Sequence, residues 1–214
     1  MRKPQSRAHR GSQRWLQEFV AKDPATLDAA IGLGPLTWVS PLATDEYAEY
    51  RVECFLTRLW IEQTVRSLDS FWPTRGPVWD GLALTESGQP VLIEAKAHAA
   101  EMASTCAAAA PASLRAISAA FDETKAALGV DASHDWLKGF YQYANRLAHV
   151  YLLNELNHMS ASLVFVYFVG DDDMRGPASR EEWQAVIADA HEALGVSGRL
   201  PEYVRDAFVD VPHA

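Results

Sequence analysis

Two stretches decide the reading of this chain: Pro77-Val78-Trp79-Asp80-Gly81-Leu82-Ala83-Leu84 and Val91-Leu92-Ile93-Glu94-Ala95-Lys96-Ala97. Both are apolar runs of strand length, and the turn-rich Thr85-Glu86-Ser87-Gly88-Gln89-Pro90 joins them as in a hairpin. With Glu86-Ser87-Gly88 as a three-residue loop and Gly88 in the left-handed position, Thr85 pairs with Gln89. The same register sets Asp80 opposite Glu94. Directly paired side chains share a face about 5 Å apart. Lys96, two residues past Glu94, leaves the strand on that face too. A buried charge without a partner is costly, so charged residues in apolar strands need a reason. Two carboxylates this close repel unless a cation lies between them. A hard divalent ion, Mg2+ or Mn2+, takes oxygen ligands of this kind. Lys96 would orient a water or stabilise charge developing on a scissile phosphate.

Working outward, residues 12–20 read as a helix capped by Ser12, with Trp15, Leu16 and Phe19 on its apolar side. Gly32-Leu33-Gly34-Pro35 breaks the chain. A long helix is expected over residues 44–68, where Tyr47, Tyr50, Cys54, Ile61, Val65 and Leu68 recur at helical spacing. After the hairpin, the alanine-rich residues 97–120 are interrupted by Pro111, and a helix follows to about Leu128 with Gly129 as its stop. A second long helix runs from Asp135 to near Asn157. Ala161-Ser162-Leu163-Val164-Phe165-Val166-Tyr167-Phe168-Val169-Gly170 is a continuous apolar strand, the pattern of burial on both faces. Ser179 and Glu182 form a capping box for a helix to Leu194, and the tail after Gly195 reads as irregular. This order predicts an α/β protein: a central mixed sheet flanked by helices.

The 214 residues suit one domain, taken as 12–214, behind a basic segment at 1–11. Arg2, Lys3, Arg7, Arg10 and Arg14 crowd that start, which reads as a disordered, solvated tail, with a phosphate-contacting arm as the alternative. The net charge of -9 argues against coating nucleic acid by bulk electrostatics, but not against a metal site, whose ion brings its own positive charge. Cys54 and Cys106 give neither a disulfide framework nor zinc spacing, so a cytoplasmic setting is the simplest expectation. No apolar stretch follows the basic residues as in a secretory signal, and none is long enough to span a bilayer as a helix, so no membrane partner is expected.

Asp80 on one strand and Glu94-Ala95-Lys96 on the next resemble the signature of the PD-(D/E)XK nuclease superfamily, over roughly residues 44–170. The resemblance implies a restriction-endonuclease-like core, extended here by N- and C-terminal helices, with three strands ahead of the middle helix. The first of those three is either Leu36 to Val39 or a short strand at Phe71-Trp72. It further implies Mg2+-dependent hydrolysis of phosphodiester bonds, with nucleic acid, chiefly DNA, as partner. A homodimer is the form in which many such domains cut both strands. Asp80, Glu94 and the Ala95 carbonyl would hold the metal, and Lys96 would serve the water. The superfamily often adds an acidic residue from the first core helix. Glu46, Glu49 and Glu53 form one stripe there, and Glu53 is expected to face inward and complete the metal-binding acidic cluster. The helix after the Glu-x-Lys strand often adds a polar group. Gln142, Asn145, Arg146 and His149 share one helix face, with Gln142 and Arg146 the candidate catalytic and phosphate-binding residues. A solvated outer face is the plainer account of that polar stripe.

Two rival readings stand beside this one. The acidic surface suits a non-catalytic binding or scaffold protein on the same fold. Asp171-Asp172-Asp173, at the carboxyl end of the apolar strand, suits a metal-dependent phosphotransferase, although no glycine-rich phosphate loop accompanies it and a solvated loop is the simpler account. His98, two residues after Lys96, reads as a surface residue near the site.

Overall fold

The computed structural model describes residues 1–62 and 65–212. Its centre is a mixed five-stranded sheet. The chain opens with a two-residue strand, β1 (Arg2–Lys3), then helices α1 (Gly11–Lys22) and α2 (Pro24–Ile31), then β2 (Leu36–Ser40). A second short strand, β3 (Glu49–Arg51), precedes helices α3 (Glu53–Arg58) and α4 (Leu68–Phe71). Strand β4 (Val78–Trp79) leads through a bend at Asp80 into β5 (Gly81–Thr85) and β6 (Pro90–Lys96). Helices α5 (Pro111–Leu128) and α6 (Tyr141–Tyr151) cross over to β7 (Ser162–Val169), and α7 (Arg180–Leu194) leads to β8 (Val204–Asp210). The main sheet runs β2-β5-β6-β7-β8, antiparallel as far as β6 and parallel beyond it. β1, β3 and β4 make a small antiparallel sheet at its side. Among the described residues no helix is long and apolar enough to cross a membrane.

Strand parity builds the two cores. Ala83, Val91, Ile93, Val164, Val166 and Phe168 point to α1 and α2, where Trp15, Leu16 and Phe19 meet them. Leu82, Leu92, Leu163, Phe165 and Tyr167 point to the other side, against α5, α6 and α7. β7 is therefore buried on both faces, and each of its large side chains contributes about 1.5–3 kcal/mol. Gly81 marks a close approach: a Cβ there would stand 3.3 Å from Leu16, Trp38 and Ile93.

The hairpin has the expected register. Gly81 pairs with Ile93, Leu82 with Leu92 and Ala83 with Val91, and Thr85 N donates to Gln89 O (3.0 Å). Gly88 takes a positive φ of 79°. The third strand ahead of the middle helices is β2, not Phe71-Trp72, which lies at the end of α4.

Four expectations need correction. The continuous helix over 44–68 is replaced by β3 and the six-residue α3: Glu46, Tyr47, Val52 and Trp60 have positive φ, which an α-helix does not accommodate. Positions 63–64 of that stretch lie outside the described residues. The second middle helix starts at Tyr141 rather than Asp135, because Gly139 turns the chain (φ 75°) and Phe140 is non-helical. The tail after Gly195 contains β8, whose Ala207 and Val209 are buried in one core while Phe208 packs against the other and Arg205, Asp206 and Asp210 are exposed. The basic N-terminal segment is not free of the fold. Arg2 and Lys3 pair with Tyr50 and Glu49 as β1, and Arg2 forks onto Asp45 and Glu46 (2.9 and 2.8 Å), because the acidic residues 45–49 attract it.

Candidate active site

The site forms where the hairpin ends. Asp80 stands at the bend between the two sheets, just beyond the last β5–β6 pair, and its Oδ2 accepts a hydrogen bond from Ala95 N (2.8 Å). Glu94 and Lys96 end β6 on the face that α6 covers, and both are buried. Lys96 Nζ donates to Glu94 Oε1 (2.6 Å) and to Gln142 Oε1 (3.3 Å). Arg146 grips the other Glu94 oxygen, from Nε at 2.7 Å and from Nη2 at 2.5 Å. Its Nη2 also donates to Val78 O (2.8 Å), and its guanidinium lies over the Trp79 ring at 4.9 Å. Trp79 packs beneath the site, fully buried.

These charges set one another. Burial, then the charge on Glu94, push the Asp80 carboxyl up to about 8. Burial would raise Glu94 as well, but Arg146 and Lys96 outweigh it and hold Glu94 below its ordinary value. Burial would lower Lys96, yet Glu94 and Asp80 raise it above its ordinary value, so it stays an ammonium. His149, one turn beyond Arg146 and fully buried, is pushed down to about 3 by burial, with Asn145 O beside its Nδ1 (2.9 Å).

A pocket of about 570 Å³ opens onto this cluster. Asp80, Glu94, Ala95, Lys96, Gln142 and Arg146 line it together, with Glu49, Glu101, Arg75, Tyr141 and Asn145. The polar face of α6 is thus turned inward: Asn145, Arg146 and His149 are all buried, against the plainer expectation of a solvated stripe. The acidic residue from the preceding segment is Glu49, not Glu53. Glu53 is exposed on α3 and lines a separate pocket of about 240 Å³ with Asp69 and Trp72. Glu46 is exposed and bonded to Arg2. The stripe drawn through 46, 49 and 53 assumed a continuous helix that β3 replaces. Glu49 is held at the pocket by Gln5 (2.7 Å) and Gln13 (2.9 Å). Arg146, expected to contact phosphate, binds Glu94 instead.

Arg75 and Glu101 were not singled out by sequence, and Asn145 was named on the polar face of the helix but given no role. Asn145 sat on the inward face of α6 and was the legible one; Arg75 and Glu101 lie in turns whose direction no periodicity reveals. His98 stands 3.7 Å from Glu101 rather than at the Asp80–Glu94–Lys96 cluster. Asp171 caps the turn after β7, accepting from Trp15 Nε1 (2.8 Å) and Met174 N (3.3 Å), and Asp173 pairs with Arg14 (3.1 Å).

The donor set available to a metal is Asp80, whose second oxygen is uncommitted among the described residues, together with what remains open on Glu94. No group of three or more His, Cys, Asp and Glu side chains converges on a metal position among the described residues. Two carboxylates still suit Mg2+, which keeps several waters and is completed by substrate phosphate oxygens. No protein-family model, no curated protein and no solved structure matches the chain.

Proposed function

We propose that this chain is a metal-dependent nuclease that hydrolyses phosphodiester bonds, with DNA as the favoured substrate. One observation carries the reading: Asp80, Glu94, Lys96 and Gln142 line a single open pocket, at the end of a strand hairpin that a parallel strand follows. That is the placement the PD-(D/E)XK resemblance implies.

Asp80 and Glu94 would hold the ion, which supplies a Lewis acid for the phosphate and an activated water. Binding it requires Asp80 to give up a proton, since the carboxyl is pushed up to about 8. Glu94 and Asp80 raise Lys96 above its ordinary value, which favours a role as the charge opposite the developing phosphate charge and as a donor that positions water. Gln142 Oε1 holds the ammonium in place from α6. Arg146 fixes the Glu94 carboxylate and closes the back of the pocket against Trp79.

A second reading has its own observation. Both Glu94 oxygens are already engaged by cations, a state that a non-catalytic binding protein on this fold would also have. The two separate in a cleavage assay on linear, supercoiled and branched DNA and on RNA, with Mg2+ or Mn2+. The nuclease reading expects cleavage that EDTA stops and that Lys96→Ala and Asp80→Ala each reduce at least 100-fold, the order of a lost charge-stabilising group. Activity surviving both substitutions sinks it.

A further inference from the structure

We propose that the substrate of this pocket is single-stranded nucleic acid, with an unpaired base seated in an apolar trough beside the Asp80–Glu94–Lys96 cluster. The inference rests on the nuclease reading and names the substrate class of that same site.

A second concavity of about 550 Å³ adjoins the pocket, and Arg75 and Tyr141 belong to the walls of both. Its other walls are largely apolar: Pro73, Ile117 and the alanines at 107–110. The segment leading to those alanines is pinned in front of α6. Ser104 N donates to Gly139 O (2.6 Å) and Cys106 N to Leu137 O (2.8 Å), while Ser104 Oγ caps α6 at Gln142 N (2.8 Å). Methyl side chains leave open a wall that larger residues would fill. A nucleobase has apolar faces and is tethered to a phosphate, so an apolar trough running into a phosphate-handling pocket matches it. The half-buried Tyr141 ring stands at the junction. An independent sign comes from Asn145. It lines the pocket, is 4% exposed, and its amide oxygen has no hydrogen-bond partner among the described residues. That oxygen is closed to solvent as it stands, and a turn of the side chain toward the pocket would offer it to a donor on a base or sugar.

Electrostatics argue against a duplex. Duplex binders gain affinity by neutralising many phosphates with Lys and Arg. Here Arg2, Lys3, Arg7 and Arg14 are each paired with a carboxylate, and Lys96 and Arg146 both face Glu94. Arg75 is the lining cation with no ion pair among the described residues. With a net charge of -9, phosphate contacts offer little affinity, and stacking on the face of a base, which the trough would supply, requires a base out of its pair. Each stacked base raises affinity roughly 5- to 150-fold.

The test is fluorescence anisotropy with the full chain and a labelled strand of about twelve nucleotides, as DNA, as RNA, and as the blunt DNA duplex. Single strands should bind at least tenfold more tightly than the duplex. The log-log salt slope should be no steeper than about -2, the value for three phosphate contacts on a single strand. Ala108→Trp, which fills the trough, and Tyr141→Ala should each weaken single-strand binding about tenfold with the circular dichroism unchanged. Duplex binding as tight as single-strand binding, or full affinity in both variants, overturns the proposal. Cleavage followed alongside separates it from the reading beneath it. Strand preference without Lys96-dependent cleavage removes the nuclease reading alone. Lys96-dependent cleavage of duplex without strand preference removes this inference alone.

Discussion

Replacing Asp80 by Asn should abolish the proposed cleavage while making the fold more stable at neutral pH. The Asp80 carboxyl is pushed up to about 8 from its ordinary 3.8, first by burial and second by the charge on Glu94. Between those values the folded chain keeps a proton that the unfolded chain has released. Stability contributed by this group is therefore fully present below pH 3.8 and is lost as pH rises through 8. Each pH unit in that window costs about 1.4 kcal/mol, which gives an upper bound of ~4 kcal/mol against folding at pH 7. Water in the pocket screens Asp80 and Glu94 shares its titration, so about 2 kcal/mol is the expected figure. Asn keeps an oxygen for the Ala95 amide and carries no charge. With a urea m-value of about 2 kcal/mol per molar, the midpoint should rise about 1 M at pH 7–8 and hardly at all near pH 4. Tryptophan fluorescence in EDTA across that pH range reads it directly. A midpoint gain equal at both ends of the range, or a loss at pH 8, refutes the claim that the fold holds the half-buried Asp80 carboxyl above its ordinary value.

Arg146→Met leaves Glu94 buried with one cation in place of two, and thermal or urea unfolding should show a loss of about 3–5 kcal/mol. Arg146→Lys should recover only part of it, because an ammonium cannot span Glu94 and the Val78 carbonyl as the guanidinium does. His149, pushed down to about 3 from 6.5, contributes stability that is present above pH 6.5 and lost as pH falls toward 3, by at most about 5 kcal/mol. His149→Gln should flatten that acid limb, and an unchanged limb would place the acid sensitivity elsewhere. Glu49→Gln should slow cleavage about tenfold or more while Glu53→Gln stays within about twofold, as expected if only the first reaches the reacting charges.

The hairpin was legible because turn chemistry fixes its register. Once Gly88 takes the left-handed position, Thr85 and Gln89 must pair, and alternation places Glu94 and Lys96 on one face without further information. β7 was legible for a different reason: a continuous apolar run has no polar face to leave outside. The stretch from 44 to 68 was misleading because helical spacing of Tyr47, Tyr50, Cys54 and Ile61 survives in a chain that turns at four positive-φ residues. None of the four is glycine or asparagine, so local sequence gives no warning; the segment is instead fixed by pairing of β3 with β1 and β4, which are distant in sequence. β8 was hidden by its charges: Arg205, Asp206 and Asp210 interrupt the apolar residues of this edge strand, and Asp206 is partly desolvated there, its carboxyl pushed up to about 6 by burial.

The division of charge within the site lay beyond strand parity altogether. Parity brings Asp80, Glu94 and Lys96 together and suggests two carboxylates waiting for a cation. The structure adds Arg146 from 52 residues away in sequence, and it changes the balance. Glu94 is neutralised twice over, and the unmet demand moves to Asp80, which holds its proton near neutrality. With Asp80 protonated, this inner group carries one excess positive charge. With Asp80 ionised beside a divalent cation, it carries two. Glu49, Glu101 and Arg75 line the same pocket, so its lining is close to neutral without the ion and favours an anion once a divalent cation is held, although the chain as a whole is acidic. A phosphate is drawn to this one spot and repelled from most of the remaining surface. The acidity that first seemed to weigh against a nucleic-acid substrate therefore restricts where such a substrate docks.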